Sequence, residues 1–331
     1  MPEVSVVLPV FNSAATIVRA VESILDQSMR DLELVVVDDG STDATADAVR
    51  KMSDPRLKLV DGPHRGVASA ANTGTSLATA PIIARMDADD YSYPQRLEKQ
   101  LQLLYGQGLD VVGCQVRILN ESLEAAASMR RYQRWINEET ICEEQILALR
   151  FVEFPIVNPT ILARRSYFEL GFRNDDLPED YDLMLRAAAR GMRFGKVDAV
   201  LLDWTDHPGG LTRTDSRYSP ESFMQCRRQH LLDGPLRDVA TVDLSGVGQT
   251  GKPWLRWLQD QNISVRNGYD IHPRKVNREI HGVRISHPDD MPAADGTPLL
   301  IAVGADKARD VILPQIISRG YESGRDAWFV A

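Results

Sequence analysis

"SVVLPVFNSAATIVRAVESILDQS", residues 5–28, shows how the first two thirds of the chain are built. Its first part is a continuous apolar run that ends at Asn12, and a run without alternation is typical of a strand buried on both faces. After Asn12, the apolar residues Ile17, Val21 and Ile24 recur at the spacing of one helical face. A buried strand followed by an amphipathic helix predicts the beginning of a parallel α/β sheet.

The same plan is repeated along the chain. Apolar segments at residues 32–38, 57–60 and 80–86 alternate with helical patterns. This alternation predicts an α/β fold whose mostly parallel sheet carries helices on both faces. Near residue 216 the pattern changes, and a second strand–helix alternation follows. We therefore predict a first domain over residues 1–215, a helical connector over 216–237 and a small Rossmann-like α/β domain over 238–331.

Polar side chains follow three of the predicted strands, at the point where each strand ends. Asn12 follows the first strand, Asp38 and Asp39 the second, and Asp87 and Asp89 the fourth. An aspartate-rich segment is common in ordinary solvated turns. However, the carboxyl ends of parallel strands meet at one edge of the sheet, where ligands bind. Shared carboxylates at that edge favour a site for Mn²⁺ or Mg²⁺, which take oxygen ligands together with substrate phosphates.

Composition excludes several classes of protein. The 331 residues carry a net charge of −9, which argues against nucleic acid as the main partner. The three cysteines form no CxxC pair, so we expect a reducing, cytoplasmic environment and no zinc site. No apolar run approaches the roughly 18 residues of a membrane span. The chain enters a strand pattern at once, which predicts that no signal peptide is present.

Four segments together resemble the family-2 glycosyltransferases of the GT-A fold. They are residues 5–28, "ELVVVDDGSTDAT" at 33–45, "MDADDYSYPQRLEKQ" at 86–100 and "PEDYDLMLRAAARG" at 178–191. The resemblance covers roughly residues 3 to 215. It implies transfer of a sugar from a nucleoside-diphosphate sugar to a hydroxyl group, usually with inversion at the anomeric carbon. It also implies a metal ion that neutralises the charge on the departing diphosphate.

The resemblance implies roles for the residues at the strand ends. Asp89 would be the main metal ligand, and Asp87 would position the metal or the ribose. Asp39 would bind the nucleobase edge with Asp38 beside it, while the backbone of residues 9–11 would line the base pocket. In that segment Pro9 and Phe11 flank the base, which we expect to be uracil or thymine. Asn12 lies at the same strand end.

Two further roles follow from the same resemblance. Asp180 would be the base that takes the acceptor's proton, although acids in a first helical turn also simply stabilise the helix. His207, in the loop "DWTDHPGGLTR", would bind the metal or diphosphate, with Arg213 as a phosphate contact. A histidine exposed in a glycine–proline turn is the alternative for His207.

The chain departs from the family pattern at two positions. Ala71 precedes Asn72 where many relatives carry an Arg-Asn pair, so the nucleotide contact would be missing or supplied by His64 or Arg65. Asn158 stands where close relatives often carry histidine, so acceptor recognition would differ. Separately, the basic and aromatic segment at 129–137 would face an acceptor or an anionic lipid surface, or would be an ordinary solvated helix face.

The carboxyl-terminal domain contains the segment "GVGQTGKP". Gly246, Gly248 and Gly251 follow a strand and open a helix, with Asp270 further along the chain. This spacing is typical of a loop that holds a pyrophosphate at a helix N-terminus, with the acid on a ribose. A phosphate-binding P-loop is excluded because Pro253 replaces its Ser or Thr. A purely structural role, or dimerisation through this domain, is the alternative to ligand binding.

Other classes of function remain open at this point. A sugar-1-phosphate nucleotidyltransferase also combines a parallel sheet with metal-binding aspartates, and an NAD-linked sugar-nucleotide enzyme would use the carboxyl-terminal domain. A non-catalytic nucleotide sensor would share the fold but lack the activity. For the leading hypothesis, the partners are a nucleotide-sugar donor and a glycan or lipid-linked acceptor of cell-surface glycan synthesis. We expect a cytoplasmic protein with peripheral contact to the inner face of the membrane.

Overall fold

The two apolar runs nearest the amino terminus form the centre of a sheet. In the computed structural model, which describes residues 1–120, 125–138, 140–305 and 307–331, β1 (Val4–Val10) and β2 (Leu32–Asp38) are buried at every position. They pair in parallel from Val4 opposite Leu32 to Val10 opposite Asp38. Helices cover both faces of these strands, which explains the unbroken apolar pattern.

Eight of the described strands form this first sheet, in the order β3-β2-β1-β4-β7-β6-β8-β5. The pairs among β1 to β4 are parallel, as is β6 with β8, whereas β7 is antiparallel to both of its neighbours and β5 is antiparallel to β8. The prediction of a mostly parallel sheet is therefore confirmed. The remaining strands are β3 (Leu57–Asp61), β4 (Ile82–Arg85), β5 (Tyr91–Ser92), β6 (Val111–Asn120), β7 (Leu162–Arg164) and β8 (Phe194–Asp206).

The helices between these strands bury their apolar stripes on the sheet. In the first of them, Ile17, Val21 and Ile24 are fully buried, as their spacing predicts. The third helix lies so close to β1 that a Cβ at Gly74 would come within 2.4 Å of Val7, so only glycine fits there. These helices are α1 (Ile17–Leu25), α2 (Thr45–Arg50), α3 (Val67–Leu77), α4 (Arg96–Gln107), α5 (Ala125–Glu138), α6 (Glu143–Leu149), α7 (Arg165–Phe168), α8 (Glu179–Ala189), α9 (Leu211–Thr214) and α10 (Pro220–Asp233).

A second α/β sheet follows, as predicted. Its strand order is β11-β12-β10-β9-β13-β14, and all pairs are parallel except β11 with β12. The elements are β9 (Thr241–Ser245), α11 (Gly251–Asp260), β10 (Ser264–Tyr269), β11 (Glu279–Ile280), β12 (Val283–Ser286), β13 (Leu299–Ile301), α12 (Ala308–Ser318) and β14 (Ala327–Phe329). Every helix of the described residues is too short or too polar to cross a bilayer.

The limits of the two units differ from the predicted ones. Residues 1–146 and 154–226 form the first unit, whereas residues 147–153 and 227–331 form the second. The short segment joins the second unit because Arg150 donates a hydrogen bond to the carbonyl of Gly324 at 3.3 Å, where Ala148 lies alongside. The predicted connector is largely one helix, α10, and the boundary falls inside it. A contact across about 170 positions leaves no local signal in the sequence.

Candidate active site

The loops after β1 and β2 are tied to each other by side chains. Asn12 has a left-handed backbone with φ of 48°. Its N–H donates to the hydroxyl of Ser41 at 2.9 Å, and its Oδ1 accepts from the N–H of Thr42 at 2.8 Å. The Ser41 hydroxyl in turn donates to the buried carboxylate of Asp38. Asn12 and Asp38 therefore fix the shape of this edge.

Asp39 holds the loop that leads into α3. One of its carboxylate oxygens accepts from the N–H of Arg65 at 2.8 Å, and the other accepts from the N–H of Gly66 at 2.7 Å. The ring of His64 stacks on Phe11 with centroids 4.2 Å apart, and its Nδ1 lies 3.0 Å from the Asp39 carbonyl. A carboxylate without a proton only accepts hydrogen bonds. The remaining lone pairs of Asp39 therefore suit a ligand group that donates a hydrogen bond.

β1 extends beyond its last pair with β4. That pair joins Val7 and Arg85, whereas β1 stays paired with β2 up to Val10. Pro9 lies in this extension, where its missing N–H costs no bond to β4. The segment from Pro9 to Phe11 thus borders the open edge, and Phe11 is 41% exposed. The residues expected to line a base pocket lie together here.

Asp87 and Asp89 face the solvent at the end of β4, with about a third of each side chain exposed. The structure brings His207 to them from the loop after β8, since its Nε2 lies 3.3 Å from Oδ2 of Asp89. Burial raises the pKa of Asp89, and the neighbouring charge of Asp87 raises it further. Arg213, in contrast, donates to Asp206 at 2.7 Å and is engaged within its own loop.

Asp90 holds this loop from beneath. It is buried, and one oxygen accepts from the N–H of Thr205 at 2.8 Å, while the other has no hydrogen-bond partner in the described part of the chain. Burial, followed by the charges of Asp87 and Asp89, raises its pKa well above the usual range. Oδ2 of Asp89 and Nε2 of His207 are thus two neighbouring donors, with Asp87 two positions away along the same loop, and carboxylate oxygens of this kind are ligands that Mn²⁺ or Mg²⁺ takes.

Two buried arginines lie under the aspartates, and no motif predicted them. Arg85 places Nη1 2.8 Å from Oδ1 of Asp87. Arg96, on α4, donates from Nη2 to the Arg85 carbonyl at 2.7 Å. Burial lowers the pKa of Arg96. For Arg85, the available signal was a charged residue inside the apolar run "IIARM" at residues 82–86.

Glu179 and Asp180 open α8 in two different environments. Glu179 is buried, and its two carboxylate oxygens lie 2.8 and 2.7 Å from the hydroxyl of Tyr218, which donates. Asp180 is half-buried. Burial raises the pKa of Asp180 to about 7, and repulsion from Glu179 and Asp87 contributes. A carboxyl group with a pKa near 7 can take up a proton at physiological pH.

The loop before α8 is fixed by side chains from two helices. Asn72, on α3, donates from Nδ2 to the carbonyl of Phe172 and accepts from its N–H, both at 2.8 Å. Arg186, on α8, donates to the carbonyls of Leu170 and Gly171 at 2.7 and 2.6 Å. Asn72 is thus a positioning residue for the loop that leads to Asp180. This role was not predicted from the sequence.

Comparison with known families agrees with this geometry. The sequence model described as glycosyl transferase family 2 matches residues 5–172. This chain belongs to glycosyl transferase family 2. The match includes the loops after β1, β2 and β4, whereas Asp180 and His207 lie beyond it.

Two bacterial relatives of this family-2 glycosyltransferase align over most of its length. The putative glycosyltransferase EpsE of Bacillus subtilis is 30% identical over 296 residues, which is 85% of this chain and 97% of the relative. The succinoglycan biosynthesis protein ExoU of Rhizobium meliloti is 33% identical over 310 residues, which is 89% and 86% of the two chains.

Solved structures share the fold of this transferase. TarS 1–349 of S. aureus, in complex with UDP-GlcNAc, has a TM-score of 0.58 and 21% identity, covering 72% of this chain and 68% of TarS. The mannosyltransferase PcManGT of Pyrobaculum calidifontis, in complex with GDP-Man and Mn²⁺, has a TM-score of 0.51 and 25% identity, covering 70% and 62%. The predicted GT-A fold is therefore confirmed.

In the second unit, the acid predicted to act with the glycine loop already has hydrogen-bond partners. Oδ2 of Asp270 accepts from Lys275 at 2.7 Å and from the N–H of Val247 at 3.1 Å, and Oδ1 accepts from the N–H of His272 at 2.9 Å. Burial opposes the charge of Asp270, yet these hydrogen bonds outweigh it and lower the pKa. The carboxylate predicted to bind a ribose is thus engaged in closing the loop.

The glycines of this loop have a packing role. A Cβ at Gly251 would lie 1.7 Å from the carbonyl oxygen of Gly246, so α11 begins directly against the loop. A Cβ at Gly248 would lie 3.3 Å from Nζ of Lys275. Close packing against the backbone therefore accounts for Gly246 and Gly251, whereas Gly248 meets only the flexible end of Lys275. A pyrophosphate site in this unit of the glycosyltransferase stays a prediction.

Proposed function

We propose that this glycosyltransferase is metal-dependent and inverting, and that it moves a sugar from a UDP- or dTDP-sugar to an acceptor hydroxyl. The observation that carries the proposal is Asp180, which is half-buried and has a pKa raised to about 7 by burial and by the charges of Glu179 and Asp87. Asp87 belongs to the aspartate loop after β4. A proton acceptor and a cation-binding loop close enough to influence each other are what a direct displacement requires.

Asp87, Asp89 and His207 would hold the metal ion. Their support is the 3.3 Å approach of His207 to Asp89 and the raised pKa of Asp89, which reflects burial and the charge of Asp87. A bound divalent cation would neutralise charge on the diphosphate as a Lewis acid. The buried Asp90 would keep the loop in place through its hydrogen bond from Thr205.

Asp39 would recognise the nucleobase. Two backbone N–H groups fix its carboxylate, and an acceptor in a fixed position suits the N3–H of uracil or thymine. Phe11, stacked on His64, would provide the adjoining aromatic surface, with Pro9 and Asn12 shaping the loop. The UDP complex of TarS supports a uracil donor. The GDP-Man complex of PcManGT makes guanine the alternative outcome.

The transfer would proceed in one displacement. The Asp180 carboxylate takes the proton of the acceptor hydroxyl while that oxygen forms a bond to the anomeric carbon. The bond from this carbon to the diphosphate oxygen breaks, and its electron pair leaves with the nucleoside diphosphate. Attack from the opposite side inverts the anomeric centre. Glu179, held by Tyr218, would keep the start of α8 in position.

Relatives support a role in polysaccharide synthesis. ExoU and ExoO of Rhizobium meliloti are named succinoglycan biosynthesis proteins, and ExoO is 34% identical over 263 residues. The acceptor of this chain would accordingly be a growing cell-surface glycan, carried on a lipid or free. A cytoplasmic location and dimerisation through the second unit stay predictions.

A donor screen tests the proposal. The full chain is heated with UDP-, dTDP- and GDP-sugars, with and without Mn²⁺, and any stabilising donor is then incubated with candidate acceptors. We expect Mn²⁺-dependent stabilisation by a UDP- or dTDP-sugar and release of nucleoside diphosphate. Release of pyrophosphate from a nucleoside triphosphate would instead identify a nucleotidyltransferase. Binding of NAD(H) with no nucleotide-sugar hit would favour an oxidoreductase.

A further inference from the structure

The outward side of α5 carries three arginines. Arg130, Arg131 and Arg134 are all exposed, and none forms an ion pair with a described residue. At 100° per residue they fall within an arc of about 100° around the helix. The one acid of α5, Glu138, is exposed at the last position of the helix and falls within the same arc. These three arginines are called the basic face of α5.

The side of α5 next to the basic face is fastened to the sheet. Gln133 accepts a hydrogen bond from the N–H of Ile118 at 2.7 Å. The amide of Asn137 accepts from the N–H of Val116 at 3.0 Å and donates to its carbonyl at 2.8 Å. Both side chains thereby satisfy the backbone edge of β6. Because these bonds fix the rotation of the helix, the basic face is held towards the solvent.

The basic face lies at the same end of the sheet as the candidate metal site. Gln133 contacts β6 near its carboxyl end and Asn137 contacts it further back, so α5 runs opposite to β6. The carboxyl end of β6 pairs with Asp206, the residue before His207. Arg130 precedes Gln133 along α5 and is therefore at the level of that strand end.

We propose that the basic face of α5 docks on an anionic lipid bilayer. Guanidinium groups bind phosphate oxygens well, and a basic amphipathic helix is typical of membrane surfaces. The net charge of −9 does not oppose this contact strongly, because charges more than about 8 Å away are largely screened at physiological ionic strength. In this contact, the edge of the first sheet that carries Asp87 and Asp89 would face the membrane. It holds independently of the proposed reaction.

Vesicle flotation of the full chain tests this proposal. The vesicles contain phosphatidylglycerol and phosphatidylcholine in equal parts, or phosphatidylcholine alone, in 0.1 M salt. The variant R130Q/R131Q/R134Q removes the basic face. The control K51Q/R190Q/R284Q removes the same charge from three exposed residues elsewhere. Melting temperature and the far-UV circular dichroism spectrum show whether each variant is folded.

We expect wild type and control to float with anionic vesicles and not with neutral ones. Each arginine near such a surface changes binding roughly fivefold, so the triple variant should bind about 100-fold more weakly. Half-molar salt should release the wild type. Equal binding of the triple variant, or equal loss in the control, would overturn the proposal. Binding of an RNA homopolymer without vesicle binding would also overturn it and indicate a nucleic-acid partner.

Discussion

Both units contain buried acids, and three acids of the first unit contrast with two acids of the second. In the first unit, burial and mutual repulsion raise the pKa values of Asp89, Asp90 and Asp180. In the second unit, hydrogen bonds lower the pKa of Asp270, and the buried Asp243 lies 2.7 Å from Nη2 of Arg266. Asp243 and Asp270 are thus paired with cations, whereas Asp89, Asp90 and Asp180 are crowded by other carboxylates.

This difference separates a stabilising role from a functional one. A buried acid that accepts several hydrogen bonds contributes to folding, whereas one with a raised pKa costs stability while it is ionised. Clusters of acids with raised pKa values are typical of sites where a ligand binds or a catalytic step takes place. The aspartates of the first unit therefore suit a cation and a proton transfer. Asp270 also follows a strand, but its hydrogen bonds hold a loop in place.

The largest effect should come from Asp180→Asn. Asparagine keeps the shape but takes no proton, and removal of a general base typically costs about 10²- to 10⁴-fold in rate. Donor binding should be preserved. Wild-type kcat should fall below about pH 7 as Asp180 becomes protonated. The measurement is turnover against pH with the donor found in the screen.

The control for this experiment is Asp176→Asn, which changes an exposed acid in the loop before α8. It should retain wild-type turnover and the same pH profile. Near wild-type transfer by Asp180→Asn would show that another group takes the proton.

A smaller effect is expected from Asp270→Asn. The change weakens the contact to Lys275 and removes a charged acceptor from two N–H groups, so unfolding free energy should fall by about 1–3 kcal/mol at pH 7. Because the folded pKa is lowered, the loss should shrink as the pH falls towards 4 and below. Urea unfolding measures it, and Trp254, Trp257 and Trp328 report on the second unit.

Sugar transfer by Asp270→Asn should match wild type, and the exposed Asp290→Asn should leave both properties unchanged. A loss of donor affinity in Asp270→Asn without a loss of stability would instead indicate a ligand site at the glycine loop.

The last effect has the opposite sign. The folded pKa of Asp180 is raised, so its contribution to stability is present below the unfolded pKa and is lost as the pH rises through about 7. Asp180→Asn should therefore be more stable than wild type at pH 8, by up to about 4 kcal/mol at roughly 1.4 kcal/mol per pKa unit, and equal to it near pH 4. Thermal unfolding with a chelator present measures this. Lower stability of the variant at pH 8 would contradict the account of Asp180.

The sequence predicted those features that depend on local patterns. The unbroken apolar runs of β1 and β2 indicated strands buried on both faces, and their parallel pairing places Asn12, Asp38 and Asp39 at one edge. Four short motifs, all weak alone, were enough to indicate the family. These signals lie within single elements, where spacing and side-chain type are sufficient.

Features that depend on distant contacts were not predictable. Tyr218 meets Glu179 from a polar segment, and Asn72 holds Phe172 across 100 positions. Residues 147–153 join the second unit through Arg150. Asp270 has the spacing of a ribose ligand, yet Lys275 and two N–H groups engage it. Whether a buried acid has hydrogen-bond or cationic partners depends on contacts between distant parts of the chain, which local sequence patterns do not show.

The central claim is that the aspartates after β4 hold a cation beside a nucleoside diphosphate. Calorimetry of UDP binding to wild type and Asp89→Ala, with and without Mn²⁺, tests it most directly. We expect Mn²⁺ to strengthen binding to wild type at least about tenfold, equivalent to 1.4 kcal/mol. In Asp89→Ala this gain should vanish while metal-free affinity stays the same. The same Mn²⁺-dependent gain in both proteins would contradict the account.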